Sequence, residues 1–185
     1  MKTRSYLTKN RRSEACIPSG AEAAPFKPDA RWEFDHSMTC LVVGYGNPLR
    51  SDDGFGWKAA AALAQELTPG DVKVIAAHQL TPEFAETIAH SSRVLFLDAS
   101  HGGEPGEIRM EPVRRDPDFR PGSISHQLSP AALLALAHHY YRSEPKATLL
   151  TVTGENFDVG ENFSPVVQNA WKPCLERVLE WVRAL

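Results

Sequence analysis

An apolar run that breaks into a glycine turn and then hands over to a helix constrains this chain more than any other feature. Residues 40–56 read CLVVGYGNPLRSDDGFG. Leu41 to Val43 suits a strand buried on both faces. Gly44 and Gly46 end the run and permit a tight turn, and Asn47-Pro48 continues it as a loop. From Gly54 to Leu67 the period becomes helical, with Trp57, Ala60, Ala61, Leu63 and Ala64 forming an apolar stripe. Asp52 and Asp53 therefore stand where a strand gives way to a helix. In an open α/β sheet that is the carboxyl end of a strand, where sites form. A carboxylate at a helix start also has a local use, because it satisfies free N–H groups and suits the macrodipole. That capping role is assigned to Asp52. One cap needs one acid, so Asp53 is carried forward as a site residue.

Several function classes fall away. The pattern Gly44-x-Gly46 is not a dinucleotide fingerprint, since the third glycine position holds Leu49. Two carboxylates at the helix start would also repel a pyrophosphate. The net charge of −3 argues against a general nucleic-acid binder. No apolar run approaches the ~20 residues of a membrane span, and the basic N-terminus lacks the apolar segment of a secretory signal. Cys16, Cys40 and Cys174 form no C-x-x-C pair and no zinc pattern, which points to a reducing cytoplasm. There is no G-x-S-x-G elbow and no HExxH, and Cys40 lies in a strand where a thiol is inert.

The chain of 185 residues is long enough for one sizeable core. Residues 1–37 are rich in Lys and Arg, interrupted by Pro18, Pro25 and Pro28, and show no sustained period. They are expected to be a disordered arm or an over-long gene start ahead of Met38. One domain is expected over 38–185. After the first strand and helix, Val72 to Ala77 reads as a second strand. Thr81 and Pro82 read as N-cap and first residue of a second helix. Arg93 to Asp98 is a third strand ending in an acid. Glu107 to Val113 alternates in polarity and contains Pro112, which suits an edge strand. Ser129-Pro130 opens a helix through Tyr141, Ala147 to Val152 is a last strand, and Ser164-Pro165 opens the final helix. The order β-α-β-α-β-β-α-β-α predicts an α/β three-layer sandwich, with a mainly parallel twisted central sheet flanked by helices.

Three polar residues share one predicted edge of that sheet. Asp53 follows the first strand, Asp98 ends the third, and His126 precedes a helix after a long loop. Two carboxylates and an imidazole can bind a borderline divalent ion such as Ni²⁺ or Zn²⁺, or serve as an acid/base set. Their separations carry no local metal signature. His138 and His139 are adjacent on a helix and point in different directions, so they do not make a ligand pair.

These residues fall within a wider resemblance. The stretch from Gly44 to Gly56 resembles the opening motif of the [NiFe]-hydrogenase maturation endopeptidases. Phe96-Leu-Asp98-Ala99 followed by Pro105-Gly106 resembles their second motif, and Ser125-His126-Gln127-Leu128 their third. The likeness covers about residues 39 to 185. It implies an enzyme, a peptidase that removes a C-terminal extension from the hydrogenase large-subunit precursor after nickel insertion. It implies that Asp53, Asp98 and His126 bind the nickel carried by that precursor, with Asp53 and Asp98 as the catalytic carboxylates. Asn47, Gln79 and Thr81, on the loops after the first two strands, are assigned to substrate binding. No organic cofactor, nucleic acid or membrane is expected, and a cytoplasmic monomer is. The alternative is a non-catalytic nickel-sensing metallochaperone on the same fold. Some relatives carry glutamate at Asp53, and many carry a Gly-Gly-Thr-type loop where this chain has HQLTPE over residues 78–83. That loop and the 156–165 stretch look most like the branch serving bidirectional, NAD-linked hydrogenases.

Overall fold

Period-two alternation in the first strand sorts its side chains onto two separate cores. In β1 (Met38–Tyr45), Leu41 and Val43 enter one buried cluster, and Cys40 and Val42 enter another. The computed structural model describes residues 38–67, 70, 72–120 and 128–184. The expectations for residues 1–37 and for His126 lie outside the described residues.

The elements that follow are α1 (Phe55–Glu66), β2 (Val72–Ala77), α2 (Phe84–Ala89), β3 (Ser91–Ser100), β4 (Ile108–Val113), α3 (Pro130–Tyr141), β5 (Lys146–Thr153) and α4 (Pro165–Arg183). A single 3-10 turn, Ser51–Gly54, precedes α1. The sheet order is β2-β1-β3-β5-β4. All pairings are parallel except β4 with β5. Helices α2 and α3 pack Ile88, Leu133 and Leu136 against Leu41, Val43, Val94 and Phe96. Helices α1 and α4 pack Phe55, Leu63, Val167 and Val178 against Val42, Leu95, Leu97 and Leu150. This is the expected three-layer α/β sandwich. Each large aliphatic or aromatic side chain buried this way contributes about 1.5–3 kcal/mol.

Two boundaries differ from the sequence reading. β3 runs past Asp98 to Ser100, because Asp98, Ala99 and Ser100 pair with Thr151, Val152 and Thr153 of β5. Helix α2 does not start at Pro82. Thr81 and Pro82 form a turn whose carbonyls accept from Phe84 and Ala85, and Glu83 is the N-cap. Ser129 caps α3 as expected, its hydroxyl accepting from the Ala132 amide at 3.2 Å. Cys40 and Cys174 are buried, and burial pushes their thiols up to about 11 and about 12, so both are inert. Among the described residues no helix is long and apolar enough to cross a membrane.

Candidate active site

The carboxyl ends of β1 and β3 carry the two expected carboxylates. Asp53 sits in the 3-10 turn, half-buried, and its Oδ2 accepts from the Asn47 amide at 2.8 Å. Gly46 makes that turn possible. Its φ is +133°, and a Cβ there would overlap the Asp53 carbonyl. The Asn47 side chain folds back onto its own loop, Oδ1 accepting from the Leu49 amide at 3.0 Å. Thr81 is half-buried and bonded to the Glu83 carboxylate, and Gln79 is exposed.

Asp98 stands one strand over. β1 and β3 pair Gly44 with Leu97, so the next residues, Tyr45 and Asp98, come side by side. Parallel register puts them on the same face of the sheet, the one covered by α2 and α3, where Tyr45 packs against the core. Burial pushes the Asp98 carboxyl up to about 6, against hydrogen bonds from the Tyr45 hydroxyl and the Ala99 amide that pull it down. The neighbouring Asp53 charge adds to the rise. Burial, the Asp98 charge and that same bond raise the Tyr45 hydroxyl in turn. Two carboxylates within electrostatic reach of each other, one of them pushed up to about 6 by burial, form a place for a positive charge. Among the described residues no group of three or more His, Cys, Asp or Glu side chains is arranged to hold a metal ion.

Asp52 departs from its expected role. Its side chain caps neither the 3-10 turn nor α1. It is fully buried and accepts four hydrogen bonds from a loop more than a hundred residues away. Oδ2 takes the Glu155 and Asn156 amides at 2.9 Å and the Ser164 hydroxyl at 2.7 Å. Oδ1 takes the Ser164 amide at 2.7 Å. Burial pushes this carboxyl up, but the bonds from Asn156, Ser164 and Glu155 outweigh it and hold it below its ordinary value.

The motifs and the fold can be set against known proteins. The family model described as hydrogenase maturation protease matches residues 58–181. The chain belongs to the hydrogenase maturation protease family. The matched stretch includes Asp98 and begins just after Asp53. The hydrogenase 2 maturation protease of Escherichia coli K12 is 28% identical over 150 residues, covering 79% of this chain and 92% of the relative. The structure of the hydrogenase maturating endopeptidase HybD from E. coli superposes with a TM-score of 0.64 at 27% identity, covering 80% of this chain and 93% of that one. A [NiFe] hydrogenase maturation protease, HycI from Thermococcus kodakarensis KOD1, shares the fold at a TM-score of 0.61 and 22% identity, covering 80% and 94%. A member of this protease family is an endopeptidase, which sets aside the metallochaperone alternative.

Sequence reasoning missed two residues of this maturation protease. Tyr45 carried a signal, being the last residue of an alternating strand on the same face as Leu41 and Val43, but using it required the β1–β3 register. The long-range bonds of Asp52 carried none, since an acid before a helix already has a local explanation.

Proposed function

We propose that this protease cleaves the C-terminal extension from a nickel-loaded [NiFe]-hydrogenase large-subunit precursor, and that Asp53, Asp98 and His126 grip the nickel that the precursor brings. The observation that carries the reading is the Asp53–Asp98 pair at the carboxyl edge, with Asp98 pushed up to about 6. A divalent cation brought between two such carboxylates relieves both their repulsion and the burial of charge. Precursor that carries nickel then binds better than precursor that lacks it, so only finished substrate is cut. Nickel accepts imidazole as well as carboxylate ligands. His126 is kept as the third ligand on the resemblance of the Ser125-His126-Gln127-Leu128 motif.

The reaction adds water across one peptide bond. Hydroxyl goes to the carbonyl carbon, leaving a new carboxyl terminus on the large subunit, and a proton goes to the departing amine of the tail. The test is incubation with precursor in nickel-loaded and nickel-free forms, read by mass spectrometry. The loaded form loses its tail and the empty form keeps it. Equal cleavage of both, or cleavage of neither, contradicts the reading.

A further inference from the structure

The loop from Glu155 to Ser164 is fastened to the segment that leads into Asp53. Besides the four bonds to Asp52, the Ser51 amide donates to the Gly160 carbonyl at 2.7 Å, and the Gly160 amide donates to the Leu49 carbonyl at 2.9 Å. The Arg50 guanidinium donates twice to the Phe157 carbonyl, at 3.2 and 3.1 Å, and the Ser51 hydroxyl donates to the Asp158 carbonyl at 3.1 Å. The Lys58 ammonium bonds the Glu161 carbonyl and lies over the Phe163 ring. A loop tied down at this density has little conformational freedom left to lose on binding.

Apolar side chains stand out from this clasp. Val159 is 91% exposed and Leu49 is 55% exposed, and Gly160 bonds them into one neighbourhood. Phe157 is half-buried and stacks on the exposed His101 imidazole, with centroids 3.7 Å apart and planes 24° apart. His101 follows Asp98 by three residues, and Leu49 precedes Asp53 by four. Large aliphatic side chains held outward on a rigid frame cost solvation and contribute nothing to the core, which is the mark of an interaction surface.

We propose that the clasp face formed by Leu49, Phe157, Val159 and His101 is the docking surface for an apolar segment of the large-subunit precursor. This rests on the cleavage reading above. Leu49 is linked to Asp53 through Asn47, whose Oδ1 accepts from the Leu49 amide and whose own amide donates to the Asp53 carboxylate. His101 lies three residues past Asp98, so a polypeptide held on this face has its neighbouring residues close to both acids. The clasp bonds keep it preformed, and the four side chains supply contact area that the two acids lack.

The test is steady-state cleavage of nickel-loaded precursor by wild type, by Leu49→Ser with Val159→Ser, and by His101→Ala, with precursor binding measured separately by calorimetry. Tyr140→Ser, on α3 and 61% exposed, is the control for loss of any exposed apolar side chain. The double variant raises KM about tenfold and weakens binding in parallel, while kcat and the unfolding midpoint stay near wild type. His101→Ala moves KM the same way, and Tyr140→Ser leaves it unchanged. An unchanged KM and affinity in the double variant overturns the proposal. So does an equal effect in Tyr140→Ser. A concentration-dependent dimer of wild type that these serines dissolve, seen by sedimentation, overturns it too by making the patch a self-contact. Wild type that binds precursor through this face without cutting it counts against the cleavage reading and leaves the docking surface standing.

Discussion

The Tyr45 hydroxyl donates a hydrogen bond to the Asp98 carboxylate across two neighbouring parallel strands. Burial raises Asp98 and this bond opposes the rise. Tyr45→Phe removes the donor and keeps the ring that packs against the α2–α3 core. Asp98 should then titrate higher still, by roughly one to two pH units for a hydrogen bond to a charged group. Carboxyl carbon NMR of the protein without precursor reads this directly. Cleavage near neutral pH should fall, because less of the charged carboxylate is present to meet the cation. An Asp98 titration that does not move would mean the bond carries no weight.

Asp98 also makes a stability prediction of definite sign. Its folded value of about 6 lies above the ordinary 3.8, so the folded state disfavours the charged form. The cost is absent below the unfolded value and grows as pH rises through the window from 3.8 to about 6. Asp98→Asn removes the charge. Near neutral pH the variant should be more stable than wild type by about 1–3 kcal/mol, and the advantage should shrink as pH falls through that window. Urea unfolding at several pH values checks it. Cleavage should be lost in the same variant, which separates function from fold.

Asp52 has the opposite sign. Its carboxyl is held below the ordinary value, so its contribution is present at neutral pH and lost as pH falls through the unfolded value toward the folded one. As a simple helix cap it would tolerate asparagine almost without loss. In the structure both oxygens accept, and Asp52→Asn must turn an NH₂ toward at least one donor among the Ser164, Glu155 and Asn156 amides. The loss should be about 2–4 kcal/mol, with the Glu155–Ser164 loop exchanging amide hydrogens faster. A midpoint within experimental error of wild type would return Asp52 to a capping role.

The parts of the fold that the sequence made legible are those with local causes. Leu41–Val43 and Ala147–Val152 are apolar runs and Val72–Ala77 is rich in β-branched residues, and each is a strand. Pro112 and the alternating charges around it marked β4 as an edge strand, and it lies at the end of the sheet. The parts that were not legible are decided by distant partners. Ala99-Ser100 reads as loop until Val152 and Thr153 pair with it. Thr81-Pro82 has good cap chemistry, yet the chain spends it on a turn before α2. Asp98 was legible as a site residue because it is an acid at the end of a buried strand. The bond that tunes it depends on strand register, which no local pattern encodes.

Gly56 sets two local rules against each other. It lies inside α1, where replacing glycine by alanine ordinarily stabilises by about 1 kcal/mol. In this fold α1 crosses the sheet in backbone contact, and a Cβ at Gly56 would overlap the carbonyl oxygens of Leu97 and Tyr45. Backbone atoms of two paired strands cannot rotate aside as a side chain can, so the helix must lift. The 3-10 turn with Asp53 leads directly into α1 and would lift with it. Gly56→Ala should therefore destabilise, by about 2 kcal/mol or more given the cost of overpacking, and should cut cleavage beyond what the stability loss explains. Gly70→Ala is the companion variant, because a Cβ there meets nothing within 4 Å. Thermal unfolding of both, with cleavage measured well below either midpoint, decides between packing and propensity. A stabilised Gly56→Ala protein would show that α1 does not sit as close to Tyr45 and Leu97 as its glycine implies.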